Sequence, residues 1–202
     1  NCKSIIRDEE PDFKVKRRFT AVAGESGTVD IAAVEEIRKG KYYVYEGYFD
    51  STCLVEFDAE PPKEINKDAL NVGIQVSMML GCNLVDIAQV MRKTVVNGSA
   101  PSGFQRTCLI GLDGVLETSS GKIRIPTVMI EEDACRDIKK TKEYTIYRLD
   151  RLGTPLIEIG TSPDIRSPEQ AKETAEKIGL ILRSTGKAMR GIGTIRQDLN
   201  IS

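Results

Sequence analysis

Apolar positions recur with helical spacing in three stretches of the chain. From Thr28 to Lys39 a short run closed by Gly40 predicts a helix. From Lys67 to Leu80, after the capping residue Asn66 and before Gly81, Leu70, Val72, Ile74, Val76, Met78, Met79 and Leu80 surround a helix almost completely. That pattern predicts a buried central helix. The clearest prediction is Ser167 to Thr185: Ser167 caps, Pro168 takes the first turn and Gln170 completes a capping box. Ala171, Ala175, Ile178, Ile181 and Leu182 form one apolar stripe, and Lys172–Glu176 and Glu173–Lys177 pair on the wet face.

The remaining apolar runs have strand character. Lys41–Tyr48 and Cys53–Phe57 read as a hairpin around Asp50-Ser51-Thr52, which Glu60-Pro61-Pro62 ends. Strand-like runs dominate from Val85 to Ile159, broken at Asn97-Gly98, Asp113-Gly114 and Ser119-Ser120-Gly121. Gly111 to Leu116 reads as a tight hairpin of Asp-Gly type, and Thr194 to Ile201 as a final strand. Both ends read as cut, so the expectation is one domain over residues 1–202 of a longer protein, with a helix-and-hairpin region at 1–62 and a core at 63–202.

Composition narrows the function classes. Lys plus Arg (29) nearly cancels Asp plus Glu (30), which excludes a global basic field and leaves room only for a local basic face. No apolar run reaches the roughly 20 residues needed to span a bilayer and no signal-peptide pattern opens the chain, so a cytoplasmic protein is expected. The five cysteines (Cys2, Cys53, Cys82, Cys108, Cys135) form no CxxC pair; they are expected to be reduced and mostly buried, with Cys2 the exception to watch. Histidine is absent, which excludes a Ser-His or Cys-His nucleophile here and makes carboxylates the metal ligands to look for, favouring Mg²⁺ over zinc.

Several carboxylates invite that reading. Glu131-Glu132-Asp133 follows the apolar run Pro126 to Ile130, as though a strand delivered acids at its end, although strand neighbours point to opposite faces. Glu158 lies within Pro155-Leu156-Ile157-Glu158-Ile159. Either it is buried with a cationic partner, or it faces water from an edge strand. Arg148, Arg151, Arg166, Arg190 and Arg196 flank these acids, and Arg196-Gln197-Asp198 places an Arg and an Asp two apart. No GxxxxGK[ST] loop and no GxGxxG after a strand exists, so any nucleotide must be held without a Walker motif.

Four blocks carry a resemblance: Glu131-Glu132-Asp133-Ala134, Gly153 to Ile159, Pro163 to Glu169, and Arg196 to Ser202. In this order and spacing they resemble the signature blocks of the GatB/GatE family, the kinase and transamidation subunits of glutamyl-tRNA(Gln) amidotransferase. The resemblance runs from about Asn66 to the end. The region from Phe13 to Phe57 and the stretch Arg190 to Asp198 are similar to the archaeal E branch.

The resemblance implies an α+β fold, a mixed and largely antiparallel cradle-like sheet with packed helices. It implies a pocket that binds ATP and Mg²⁺ and activates the glutamyl γ-carboxylate of Glu-tRNA(Gln) as an acyl phosphate. Ammonia from an asparaginase-like glutaminase partner then displaces the phosphate. By family position, Glu132 and Glu158 would be the metal ligands; our own candidates for holding phosphate or the activated glutamyl group are Arg151, Arg196 and Asp198, with Arg92 and Lys93 as further candidates at the nucleotide. The family's metal site also draws on a Glu-x-His motif, which this chain lacks. The alternatives are a non-catalytic RNA-binding or assembly module and an unrelated ATP-dependent amide ligase.

Overall fold

The computed structural model describes residues 4–21, 23–24 and 26–201. The chain condenses into two compact units built from discontinuous segments. The first comprises Asn1–Glu64, Val90–Thr107 and Glu131–Leu156; the second comprises Ile65–Gln89, Cys108–Ile130 and Ile157–Ser202. With helices and sheets whose pairings are mostly antiparallel, the fold is α+β, as expected.

The first unit holds a four-stranded sheet, ordered β1 (Phe13–Arg18), β2 (Tyr42–Gly47), β8 (Tyr144–Arg148) and β7 (Arg136–Lys140). β2 pairs antiparallel with β1 and parallel with β8, so Tyr42 stands opposite both Arg18 and Tyr144. Tyr43, Tyr45 and Tyr147 turn to one side, where they pack with Cys135 and Leu149, and with Phe19, Phe57 and Leu152 at the margin. Each tyrosine keeps its hydroxyl partnered: Tyr45 donates to Gly98 O at 2.7 Å and Tyr147 to Asn97 O at 2.8 Å. Gly98 sits at φ 78°, and a Cβ there would lie 2.6 Å from the Tyr43 ring, so both the turn and the close approach require glycine.

β1 has no counterpart among the sequence expectations, and its presence explains why the expected hairpin is missing. Both edges of β2 are already taken, by β1 and β8. Cys53 to Phe57 therefore forms turns instead, with Glu56 N donating to Cys53 O at 3.2 Å and the Glu56 carboxylate accepting from Cys53 N at 2.9 Å. The helix before β2, α1 (Ile31–Arg38), is capped by Asp30, which accepts from Ala32 N at 2.7 Å.

A second sheet runs in the order β3 (Asn83–Leu84), β5 (Phe104–Thr118), β6 (Gly121–Glu132) and β9 (Pro155–Gly160), with β4 (Val90–Thr94) beside β5. The expected reversal at Asp113-Gly114 does not occur, because β5 passes straight through it. Asp113 does take a positive φ of 56°, but Val115 N then donates to Leu80 O at 2.9 Å. A Cβ on Gly114 would lie 2.5 Å from Cys82 Sγ and 2.8 Å from Leu80 O. The Asp-Gly pair thus seats the strand against the end of α2 (Lys67–Met79) rather than reversing it. The actual turn joining β5 to β6 is the expected one at Ser119-Ser120.

α2 is capped by Asn66, whose side chain accepts from Ala69 N at 2.9 Å, and Gly81 follows it at φ 67°. It is not buried all round. Val76 is fully covered, but Met78 is 64% exposed and Met79 52%, so the apolar circumference overstates the buried face. α3 (Pro168–Ser184) matches its expectation closely: Ser167 accepts from Gln170 N at 3.1 Å, while the Gln170 carboxamide accepts from Arg166 N at 2.9 Å. Lys172–Glu176 and Glu173–Lys177 pair at 3.8 and 2.8 Å.

Val76, Leu80, Leu116, Ile123, Ile125 and Val128 form the second unit's core, with Ile178, Ile181 and Leu182 of α3 packed against it. Ile178→Ala is expected to lower unfolding free energy by about 2 kcal/mol, the low end for such a truncation because the residue is half-buried. Urea denaturation would measure this, and a change below about 0.5 kcal/mol would mean the face carries no packing. Residues 194–201 form no strand; they are mostly exposed, and Thr194 Oγ1 turns back to donate to Gly191 O at 2.9 Å.

Asp164 fixes the approach to α3. Its carboxylate accepts from Arg124 Nη2 at 2.7 Å, Nε at 2.9 Å and the Arg124 backbone N at 2.9 Å. These bonds hold its pKa down at about 2. A depressed folded value stabilises the fold above the ordinary aspartate pKa of about 3.9, and that contribution disappears as pH falls toward the folded value. A ¹³C carboxyl titration should give a midpoint for Asp164 near the folded value, and Asp164→Asn should flatten the stability loss between about pH 4 and pH 2.

Candidate functional site

β6 ends in Glu131 and Glu132, Asp133 follows directly, and each of the three carboxylates meets a cation. Glu131 is buried, and Lys93 Nζ of β4 lies 2.7 Å from its Oε1 as an ion pair, at an angle that makes no hydrogen bond. Glu132 is paired by Arg106 of β5 through the guanidinium, and its Oε2 also accepts from Arg106 N at 3.3 Å. Asp133 is buried, with Arg151 Nε at 3.2 Å from its Oδ2. The expectation that Glu131 and Glu132 face opposite ways holds: Glu132 and Asp133 line a hollow that Glu131 does not reach.

The strand end is pinned by backbone bonds. Asp133 N donates to Thr154 O at 2.8 Å and Gly153 N to Asp133 O at 2.9 Å. Gln105 Nε2 donates to Glu132 O at 2.5 Å, and Arg106 Nη1 to Lys63 O at 3.1 Å. Arg151 also donates to Ala134 O and Cys135 O, each at 3.3 Å, so it clamps the turn after Asp133 as well as pairing with it. These carboxylates therefore sit on backbone that packing and hydrogen bonds hold in place, as a preorganised site requires.

The hollow, about 50 Å³, is bordered by Glu56, Asp58, Phe104, Arg106, Glu132 and Gly153. Beside it lies a wider, open depression of about 710 Å³ that shares Phe104 and Arg106 and adds Pro61, Val90, Met91 and Arg92. That volume falls in the range of small-molecule sites, about 300–1,000 Å³. Arg92 lies over the Phe104 ring, 4.8 Å from its centroid, which holds a cation at the depression's wall.

Four of the seven residues expected from sequence, Arg92, Lys93, Glu132 and Arg151, thus belong to the first unit, along the end of β6 and its neighbours. Glu158, Arg196 and Asp198 belong to the second. Glu158 is exposed on β9, the strand at the end of its sheet, so the costly-burial argument for a cation beside it does not apply; the edge-strand alternative is the observed one. Arg196 and Asp198 are exposed in irregular chain, not aligned on a strand.

Arg106 and Gln105 were not singled out from sequence. Their signal is tertiary: they meet Glu132 across a strand pair from 26 and 27 positions away. Among the described residues no three or more His, Cys, Asp or Glu side chains gather as a metal-holding group. The donors at the β6 end are hard carboxylate oxygens, which fit Mg²⁺ with at most a small protein share, water and phosphate oxygens completing the coordination. Cys53, Cys82, Cys108 and Cys135 are free thiols, the last two buried. Burial pushes the Cys135 thiol far up, so it is an inert core residue, and Cys2 lies outside the described residues.

Comparison with known proteins adds a second line. The profile of the GatB/GatE catalytic domain matches residues 27–202. Over all 202 residues the chain is 50% identical to the E-type subunit of glutamyl-tRNA(Gln) amidotransferase from Methanocaldococcus jannaschii, covering 32% of that protein. It is 49% identical to the protein of the same name from Archaeoglobus fulgidus, covering 33%, and 50% to that of Methanosarcina acetivorans, covering 32%. The chain spans about a third of the length of these relatives. Among the described residues no helix is long and apolar enough to cross a membrane.

Proposed function

The chain belongs to the GatB/GatE catalytic-domain family, and on that premise we propose that it carries the ATP-using site of a tRNA-dependent amidotransferase. Its substrate would be Glu-tRNA(Gln), and the ammonia would come from an asparaginase-like glutaminase partner. The relatives' shared name supports the substrate, and the geometry at the end of β6 supports the chemistry.

The observation that carries the reading is the set of ion pairs Lys93–Glu131, Arg106–Glu132 and Arg151–Asp133. Arg106 and Glu132 neutralise one another at the wall of the hollow, where Asp133 also lies, and such a pair is poised for exchange. Phosphate oxygens would draw Arg92, Lys93, Arg106 and Arg151, and Glu132 would be released toward Mg²⁺. The metal, when bound, supplies neutralisation of the phosphate charge. The glutamyl γ-carboxylate oxygen would then take the γ-phosphoryl group as ADP leaves. Ammonia would attack the acyl carbon, expelling phosphate. No protein nucleophile is required, so the arginines' contribution is alignment and charge.

Glu158 enters this proposal by family position, and Arg196 and Asp198 as candidates read from the sequence. With the full-length protein and its glutaminase partner, Arg196→Ala is expected to lower ATP-dependent amidation with free ammonium at least about tenfold, an effect typical of a lost charge contact, while glutamine hydrolysis holds. Equal loss of both activities in an assembled complex would give Arg196 a structural role instead.

A further inference from the structure

The sheet of the first unit has a second face, which the tyrosine core does not use. Register puts Lys14, Lys16 and Arg18 of β1 opposite Glu46, Val44 and Tyr42 of β2. β2 in turn places Tyr42, Val44 and Glu46 opposite Tyr144, Ile146 and Arg148 of β8, and Lys139 of β7 stands opposite Ile146. Directly opposed residues share a face, and ring contacts confirm it: Lys16 Nζ lies 3.7 Å from the Tyr42 centroid and Lys139 Nζ 5.9 Å from that of Tyr144. Tyr42 and Tyr144 are stacked, 5.4 Å apart at 22°.

This face is basic although the chain as a whole is not. Lys14, Lys16, Arg18 and Lys139 are exposed. Of the carboxylates at this face, Glu46 is buried and neutralised by Lys14 at 2.9 Å and Arg148 at 2.7 Å, and Asp8 is paired with Arg136 at 2.8 Å, away from Lys16, Arg18 and Lys139 in the register. Alternate strand residues stand about 6.8 Å apart, so β1 presents a row of cations beside a pair of half-covered rings. Cations along a groove with aromatic platforms beside them suit unpaired RNA, whose phosphates meet the cations and whose bases stack on the rings.

We propose that the outer face of the β1-β2-β8-β7 sheet binds an unpaired stretch of RNA, with Lys16, Arg18 and Lys139 meeting phosphates and Tyr42 and Tyr144 stacking a base. The proposal goes deeper into the tRNA-dependent reading and rests on it for the RNA's identity, but not for the binding itself. As a base arrives, Lys16 leaves the Tyr42 ring for a phosphate, so the platform is held covered until it is used. An acidic protein segment would also answer the charge, yet it has no use for stacked tyrosines.

The test uses the full-length protein, with fluorescence anisotropy on a labelled single-stranded RNA 12-mer, a tRNA transcript and poly-glutamate. The triple variant Lys16→Ala, Arg18→Ala, Lys139→Ala spares the Lys14–Glu46 pair. It is expected to weaken 12-mer binding at least about tenfold and to reduce the slope of log K against log salt by about 2, for three contacts at roughly 0.7 each. Tyr144→Leu keeps an apolar side chain and should weaken the 12-mer about fivefold or more with the slope unchanged, because stacking releases no counterion. Unchanged 12-mer affinity in both variants overturns the proposal. Poly-glutamate binding as tightly as RNA, with Tyr144→Leu indifferent to both, overturns it in favour of an acidic protein. If the variants lose 12-mer binding while the tRNA transcript is unaffected, the face binds RNA but the tRNA assignment falls. Ammonium-dependent amidation of Glu-tRNA(Gln), measured alongside, separates failure of this face from failure of the proposed activity.

Discussion

Glu132→Gln in the full-length protein is expected to reduce ATP-dependent amidation about 100-fold or more, the scale of removing one charged group from a phosphoryl-transfer site. The substitution keeps the side chain's shape and its place at the end of β6, but removes the negative charge that would be released toward Mg²⁺. The apparent requirement for Mg²⁺ should rise as well, which a purely structural carboxylate would not cause. Glu132 and Arg106 are only 23% and 20% exposed, so the change also strands a partly buried guanidinium. A stability loss is therefore expected, and activity must be compared per folded molecule. Arg106→Gln combined with Glu132→Gln removes both charges and should recover stability without recovering activity. If the double variant regains both, the pair is structural and the site lies elsewhere.

Arg148→Ala should cost about 3–5 kcal/mol of folding stability, the range for breaking a buried ion pair from one side. Arg148 Nη2 and Nε donate to Glu46 Oε2 at 2.7 and 3.0 Å, and Nη1 donates to Arg7 O at 3.1 Å. Burial by itself pushes the Glu46 pKa up; bonds from Lys14 and Arg148 outweigh it and hold the carboxyl below the usual range. The sign follows from that balance. In the native chain Glu46 stabilises the fold above the ordinary glutamate pKa of about 4.3 and loses that effect as pH falls. Without Arg148, burial dominates and the charged form is penalised. The gap between native chain and variant should therefore be widest near pH 7 and narrow toward pH 4, measurable by urea denaturation at each pH. Arg148→Met with Glu46→Leu should restore much of the loss, because no buried charge is then left unpaired. A gap that is independent of pH would show that the cost is lost packing.

The helices were the most legible elements, and the reason is local. α3 announces itself through Ser167, Pro168 and Gln170 within four positions, and α2 through Asn66 and Gly81. Caps and periodicity act over a few residues, so they can be read without knowing the fold. Strand pairing was less legible. Cys53 to Phe57 has strand composition, but whether it pairs depends on a free edge at β2, and β1 and β8 occupy both. The Asp113-Gly114 pair has turn chemistry, yet the end of α2 uses it to seat a continuing strand.

At the candidate site the same division holds. The run of acids at the end of an apolar strand and its family signature were visible as sequence, and so was the alternation that sends Glu131 and Glu132 to different sides. Glu158 was ambiguous because an isolated carboxylate among apolar residues looks identical in a buried strand and at a sheet edge; its exposure on β9 resolved this. Arg106 was invisible, since nothing near it in the chain says which acid it faces.

By itself the sequence determined the α+β composition, the limits of α2 and α3 (α1 begins at Ile31, three residues after the expected Thr28), the placement of carboxylates at a strand end and the family. Each depends on neighbours in the chain or on an ordered set of motifs. Only the tertiary structure decided which cation meets each carboxylate, which sheet edge is open, and that Lys16, Arg18 and Lys139 share one face with two stacked tyrosines. These are contacts between residues far apart in sequence, set by strand register. A one-residue slip in that register would send every side chain to the opposite face.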